Sequence, residues 1–343
     1  MSKIVVIGSA NMDTTHYLRG DFPEQATGES LNEIESTARV LGGKGANQAR
    51  ATKLQSPNDE TKVYFIGCVG KDKSASSILD EFLKSKIDFR GTKIVDANTD
   101  GRIIYVNKDG ENRMMGYGDC IKQLTPDMID LDILEKADIV AIQMKMPPET
   151  AEYVIRYCEE HGKTLVIDPT PPEKAGILLE NHAELLKKAD YLTPNEEEAF
   201  ALIKYQEGKT MEEIKAEFKA TPKEVRYKLI EDFVRTHPNV IATIGGDGVI
   251  YNNGTKVIRK ETYPTVCKDS TGAGDTFNGA FIAAISRGET LDRSIEYGLM
   301  ASSMKVKFPG AQNGVPTYEE TKKALEEYDK KIKTSDDNDD GER

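Results

Sequence analysis

Histidine and cysteine are scarce in this chain, four of each among 343 residues. The cysteines, Cys68, Cys120, Cys158 and Cys267, stand far apart; no CxxC occurs, and the histidines show no ligand spacing. That speaks against a structural zinc site or a disulfide framework and points to free thiols in a reducing cytoplasm. Basic charge is short as well: 46 Lys and Arg against 58 Asp and Glu leave a formal net charge of −12. Such a chain lacks the positive field that phosphate backbones and anionic membrane surfaces require, so neither nucleic acid nor membrane is an expected partner. A small anionic ligand needs only a local site and stays open. Missing too is any run near the roughly 20 apolar residues of a membrane span. The opening MSKIVVIGSANMD has a short apolar run that enters a Gly-Ser turn, without the basic leader and cleavage site of a signal peptide.

What is present is a series of compact apolar runs that end in Gly, Pro or Asn: KIVVIG, KVYFIGCVG, ADIVAIQ, KTLVIDPTP, ADYLTPN and NVIATIG. Between several of them lie amphipathic helical stretches, SASSILDEFLKS, PPETAEYVIRYCEEHG and NEEEAFALIKY. The alternation predicts an α/β fold with a mostly parallel sheet covered by helices on both faces. Ligands in such sheets sit at the carboxyl ends of the strands, so the polar residues there matter most. Residues 14–40 and 88–117 break the pattern and read as polar, alternating segments. An Asp-Gly hairpin signal at Asp109-Gly110 suggests a small antiparallel sheet that serves as a lid or a dimer contact. Residues 205–237 are highly charged and read as a solvated excursion of two helices separated at Thr221-Pro222, with Ile214/Phe218 and Val225/Leu229 at helical spacing. The acidic end, residues 334–343, is expected to be disordered.

Two glycine runs carry the chemistry. In DSTGAGDTFNGAF, Gly272 and Gly274 permit close approach of backbone amides to an anion, and the apolar run Phe277–Ile285 reads as a helix whose positive end would face it. Asp275 beside that run reads equally as a helix cap or as a base that takes a proton from a hydroxyl. The upstream GGKGANQARA, Gly42 to Ala51, is not a P-loop, because GxxxxGK[ST] is absent. It is either a glycine-rich turn with Lys44 in solvent or a tight loop that presents Lys44 and Asn47 to a polyhydroxyl ligand. GSANMD after the first strand adds Asn11 and Asp13, and a carboxylate can accept from two sugar hydroxyls.

Taken in order, GSANMD, GGKGANQA, TPNEEEA, TIGGDG and DSTGAGDTFNGA closely resemble the ribokinase family of carbohydrate kinases, the pfkB type, from about residue 3 to residue 325. The resemblance implies a ribokinase-like three-layer α/β/α fold over residues 1–333, with a small β lid through which two copies pair as a homodimer. It implies ATP and Mg²⁺ as co-substrate and cofactor, K⁺ as a further candidate, and a sugar, D-ribose first, as acceptor. Asp275 would be the catalytic base, with Gly272, Ala273 and Gly274 as the anion hole. Asn11, Asp13, Gly43, Lys44, Gly45 and Asn47 would hold the sugar. Asn195 and Glu198 would work near the phosphates, Glu198 on Mg²⁺ through water, although alone it reads as an exposed acid in a helix first turn. Thr243, Gly245, Gly248 and Gly274 would lie along the nucleotide. A monovalent-cation site would comprise Asp269, Thr271, Lys305, Phe308, Gly310 and Gly314.

The chain departs from the family pattern at three places. Lys145 stands where ribokinases carry a sugar-binding glutamate; it either swings away or selects a sugar acid. Lys305 replaces a small residue, and its ammonium either reaches solvent or occupies the cation position. Leu299 replaces a polar residue near the base of the nucleotide. A kinase for another sugar, a sugar acid or a nucleoside is the nearest alternative, and a non-catalytic sugar or nucleotide sensor is the alternative of another class.

Overall fold

The computed structural model describes residues 1–22, 33–57, 61–170 and 187–339. Strands β1 (Ser2–Ile7), β4 (Thr61–Ile66), β9 (Ile139–Gln143), β10 (Thr164–Asp168) and β11 (Tyr191–Leu192) form a sheet in the order β11-β10-β9-β1-β4, with every pair parallel. Register is set by the buried β-branched runs, Ile4 opposite Ile139 and Val63. Strand β12 (Ile241–Thr243) extends this sheet through the Leu192–Val240 and Asn195–Thr243 bridges and starts an antiparallel sheet with β13 (Val249–Asn252) and β14 (Val257–Lys260).

Side chains alternate across a strand, so the central sheet feeds two cores. Ile4, Val6 and Phe65 face helices α1 (Lys44–Leu54) and α2 (Lys73–Lys84), together with the pair α8 (Ala273–Ser286) and α9 (Leu291–Lys305). Val5, Ile7 and Ile66 face the other way. After the short α3 (Leu131–Glu135), that side carries α4 (Pro148–Glu160), α5 (Glu196–Gln206) and α7 (Lys223–Thr236). Each fully buried Ile or Phe in these layers contributes about 1.5–3 kcal/mol over its exposed state. The two apolar faces therefore fix the helices, and with them the strand ends, as one rigid frame. Among the described residues no helix is long and apolar enough to cross a membrane.

The lid is a mixed four-stranded sheet in the order β3-β2-β7-β8, built from β2 (Asn11–Leu18), β3 (Ile34–Gly42), β7 (Gly101–Val106) and β8 (Asn112–Tyr117). Its outer pairs are antiparallel and the central β2–β7 pair is parallel. Residues 23–32 of the expected lid lie outside the described residues. The second expected segment, 88–117, is too long at its start. Lys93–Ile94 forms β6, which pairs with β5 (Cys68–Val69) on the main body, and the lid begins only at Gly101.

Two further expectations need correction. The charged stretch does hold two helices, α6 (Met211–Ala220) and α7, divided at Thr221-Pro222. It is not a solvated excursion, however: Tyr227, Ile230 and Val234 of α7 enter the main core, and Ile214 of α6 packs with Phe200. Their spacing points one face inward, while Val225 stays on the outer side. At the other end, α10 (Tyr318–Asp339) runs on into the stretch expected to be a disordered tail, because no Pro or Gly interrupts it before Gly341. Residues 340–343 lie outside the described residues.

Candidate active site

The polar residues gather along the carboxyl edge of the sheet. Gly8 and Ser9 follow β1, Gln143 ends β9, Asp168 ends β10, and Asn195 and Gly245 follow β11 and β12. Helices α1 and α8 meet there at close range. Gly279 permits this, since a Cβ in its place would stand 2.7 Å from the Thr52 amide nitrogen. The early glycine run and the late one, far apart in sequence, thus share a single cleft.

Asp275 lies in the first turn of α8 and is buried. Its carboxylate accepts from Asn47 Nδ2 at 2.7 Å and from Gln48 Nε2 at 3.2 Å, both on α1. Gln48 also donates to Asp168 Oδ2 at 2.7 Å and is itself oriented by Gln143 Nε2 at 2.8 Å. Asn47 Oδ1 accepts from Gln312 Nε2 at 2.9 Å, and Arg50 holds the Gln312 carbonyl at 2.6 Å. Burial pushes the Asp275 carboxyl above its ordinary range; the Lys44 charge and the two amide bonds oppose that shift, and the Asp168 charge adds to it.

Lys44 is not in solvent. Its ammonium sits between Asp168, 3.3 Å away, Glu198, 3.5 Å away, and the Thr170 hydroxyl. Burial alone would lower its pKa, but the carboxylates of Asp168, Glu198 and Asp275 outweigh this and hold it above the usual lysine value. Glu198 is 5% exposed rather than an exposed acid. It closes a capping box with Asn195: Asn195 Oδ1 accepts from the Glu198 amide at 2.8 Å, and Glu198 Oε2 from the Asn195 amide at 2.9 Å. Burial and the nearby Asp168 raise the Glu198 pKa, against the pull of Lys44. Three carboxylates thus surround one ammonium, an excess of negative charge suited to a cation that arrives with a ligand. Among the described residues no set of three metal-ligating side chains is close enough to hold a metal directly. The fit is therefore to a hydrated ion rather than a protein-caged one.

The late glycine run forms the turn into α8. Gly272 caps α8 in the left-handed region, φ 76°, and a Cβ there would strike the Ala311 main chain. The Ala273 amide is already bonded to Ser270 O at 3.0 Å, so the amides of Gly274 and Asp275, at the start of the helix, are the ones without intrahelical acceptors. Beside them a cavity of about 170 Å³ is lined by Thr243, Gly245, Gly248, Gly274 and Leu299. The residues that sequence assigned to the nucleotide therefore do meet in one hollow, with Leu299 as an apolar wall.

Across the cleft, Asn11 and Asp13 are buried, and Asn11 Oδ1 and Asp13 Oδ1 have no hydrogen-bond partner. Burial raises the Asp13 pKa, and the charges of Arg102 and Lys145 pull against it. Lys145 is half-buried and does not swing away: Arg102, Asp100, Lys44 and Asp13 are its charged neighbours, and burial followed by Arg102 lowers its pKa. Gly43 and Gly45 bring the start of α1 against Ser9, Gly8 and Gln143.

Lys305, the last residue of α9, is fully buried. Its ammonium donates to the carbonyls of Asp269 at 3.4 Å, Phe308 at 3.5 Å and, more closely, Thr271. Gly310 joins this knot through its amide, which donates to Asp269 Oδ2 at 2.7 Å, and Gly314 packs behind the Phe308 ring.

Sequence reasoning missed Asp168, Thr170, Gln48, Gln143, Gln312 and Arg102, and also Asn278, whose Nδ2 donates to Asp168 Oδ2 at 3.4 Å. Asp168 was findable, since VIDPTP ends a strand on a carboxylate. Gln48 and Gln143 gave no signal, because only contact across the sheet distinguishes them from surface amides.

Comparison with known proteins agrees with this geometry. Residues 1–318 match the model of the pfkB family of carbohydrate kinases, and the chain belongs to that family. It is 31% identical to a ribokinase of Lactococcus lactis over 334 residues, 96% of this chain and 99% of the relative. A ribokinase structure from Thermotoga maritima superposes with a TM-score of 0.75 at 28% identity, covering 95% of this chain and all of the other. An Arabidopsis thaliana ribokinase in complex with ribose and ATP gives 0.73 at 26% identity, covering 95% and 99%. The fold is accordingly the ribokinase-like α/β fold with a mixed-sheet lid, and the protein is a phosphotransferase acting on a sugar hydroxyl.

Proposed function

We propose that this carbohydrate kinase transfers the γ-phosphoryl group of ATP to a hydroxyl of a small sugar, with D-ribose the first acceptor to test. The observation that carries the reading is the 2.7 Å bond that joins Asn47 of the early glycine run to Asp275 of the late one. Asn11 and Asp13, with unpartnered oxygens, receive the sugar hydroxyls beside Gly43 and Gly45. Asp275 takes the proton from the attacking hydroxyl. The new O–P bond forms as the bond to the leaving ADP oxygen breaks, and the amides at the start of α8 hold the phosphoryl charge in flight. Lys44, between Asp168 and Glu198, faces the same charge, and Glu198 holds Mg²⁺ through water. The ion supplies charge neutralisation on the phosphates. Thr243, Gly245 and Gly248 line the nucleotide, with Leu299 against its base. Residues 1–333 act as the kinase unit. Exposed Tyr17, Ile34, Met114, Met115 and Tyr117 on the lid strands favour pairing of two copies through the lid. Four cysteines without disulfides fit a reducing cytoplasm.

A second reading takes a sugar acid as acceptor. It is favoured by Lys145 and Arg102, two cations beside Asp13 where a neutral sugar needs none. One screen separates the readings: ADP release with ribose, deoxyribose, fructose, nucleosides and sugar acids. Turnover highest on ribose supports the first, and turnover highest on a sugar acid the second. Tight binding without turnover on any of them would leave only a sensor.

A further inference from the structure

Buried lysines nearly always reach a carboxylate or water. Lys305 reaches neither a carboxylate within ion-pair range among the described residues nor the surface; its partners are three main-chain carbonyls, those of Asp269, Thr271 and Phe308. An ammonium has three N–H donors and a neutral amine only two, so the charged form matches this cage. The carbonyls come from two loops, one entering α8 and one leaving α9. Asp269 clips the same loops from the other side: Oδ1 accepts from the Thr271 amide at 2.8 Å and Oδ2 from the Gly310 amide at 2.7 Å.

The position has a consequence for chemistry. In a planar trans peptide the C=O and the following N–H point in opposite directions. With the Thr271 carbonyl drawn to Lys305, the Gly272 N–H is turned the other way, on the approach to α8. A cation under those carbonyls also offsets part of the negative charge that the transferred phosphoryl group brings to the start of α8.

We propose that Lys305 is a built-in cation: a positioning residue that orients the Gly272 amide on the approach to α8 and fills a carbonyl cage that would otherwise take a free monovalent ion. Carbonyl rings of this sort can replace the hydration shell of such an ion. Activity is therefore independent of K⁺, which removes K⁺ from the cofactors that the family resemblance suggests. The inference rests on the kinase reading only for its rate measurements.

The test begins with the unaltered protein. Initial rates in choline, sodium and potassium chloride at equal ionic strength should agree within twofold; strong activation by K⁺ overturns the proposal. In Lys305→Ala, kcat should fall on the order of 10²-fold, the scale of a slightly misplaced site, with the sugar KM little changed. K⁺, ammonium or methylamine should restore much of the loss, and choline should not. Full kcat without added cation, or a folded but inactive variant that no small cation rescues, counts against Lys305. Lys305→Met serves as a second variant if the alanine form does not fold. Thermal midpoints give a readout free of catalysis: K⁺ should raise that of the variant over choline and leave the unaltered protein unchanged. If the protein phosphorylates nothing, the kinase reading fails while this thermal comparison still decides the cage. Equal midpoints of the variant in both salts would overturn it.

Discussion

Asn47 donates to Asp275 at 2.7 Å across 228 residues of chain. One bond thus orients the candidate base from the helix that also presents Lys44. Behind it, Gln312 fixes Asn47, and Arg50 fixes Gln312. The carboxylate is held in one rotamer before any substrate arrives, which is what a base that must meet a hydroxyl at hydrogen-bond range requires.

Asp275→Asn removes the base and keeps the volume. Turnover is expected to fall by about 10²–10⁴, while equilibrium binding of sugar and nucleotide, measured by calorimetry, changes little. Near-normal turnover would take Asp275 out of its role.

The same variant tests the buried charge. Because the native carboxyl is raised, the folded chain keeps a proton that the unfolded chain has already released. Stability contributed by this group is therefore greatest at low pH and is lost as pH rises through the raised value. Denaturant midpoints of the unaltered protein should lose ground to Asp275→Asn as pH rises above the ordinary aspartate range. A gain with rising pH would contradict the shift. The acid limb of kcat should likewise lie above the ordinary aspartate range.

Gly272→Ala places a side chain where φ is 76° and where the Ala311 main chain already stands. A loss of about 1–3 kcal/mol in unfolding free energy is expected, with a larger loss of turnover because the amides at the start of α8 move. Unchanged kinetics would show that this turn does not shape the anion hole.

Lys145→Met separates the two substrate readings. If a sugar acid is the acceptor, loss of a charged donor should lower kcat/KM for it by roughly 10- to 100-fold and leave neutral sugars nearly unaffected. An equal loss on D-ribose would make Lys145 a general support of the pocket.

Met114→Lys with Met115→Lys puts charge on a lid strand whose two methionines are 55% and 61% exposed. Sedimentation should shift from dimer to monomer. A dimer that survives both changes would place the contact elsewhere.

The sequence by itself determined the layered fold, the family and the cleft residues of the five motifs. Buried β-branched runs, glycine turns and strand-end polar residues are local signals, and they survive without knowledge of contacts. Only the tertiary structure decided what those residues touch. It set Lys44 between Asp168 and Glu198 rather than in solvent, and it resolved Lys305 into a carbonyl cage. It also placed Lys145 with Arg102 beside Asp13, started the lid at Gly101 rather than near residue 88, and drew α7 into the core. The physical reason is that a long polar side chain carries no mark of its partner in the chain. Its partner is chosen by which strand ends and helix starts the two apolar layers bring within a few ångströms.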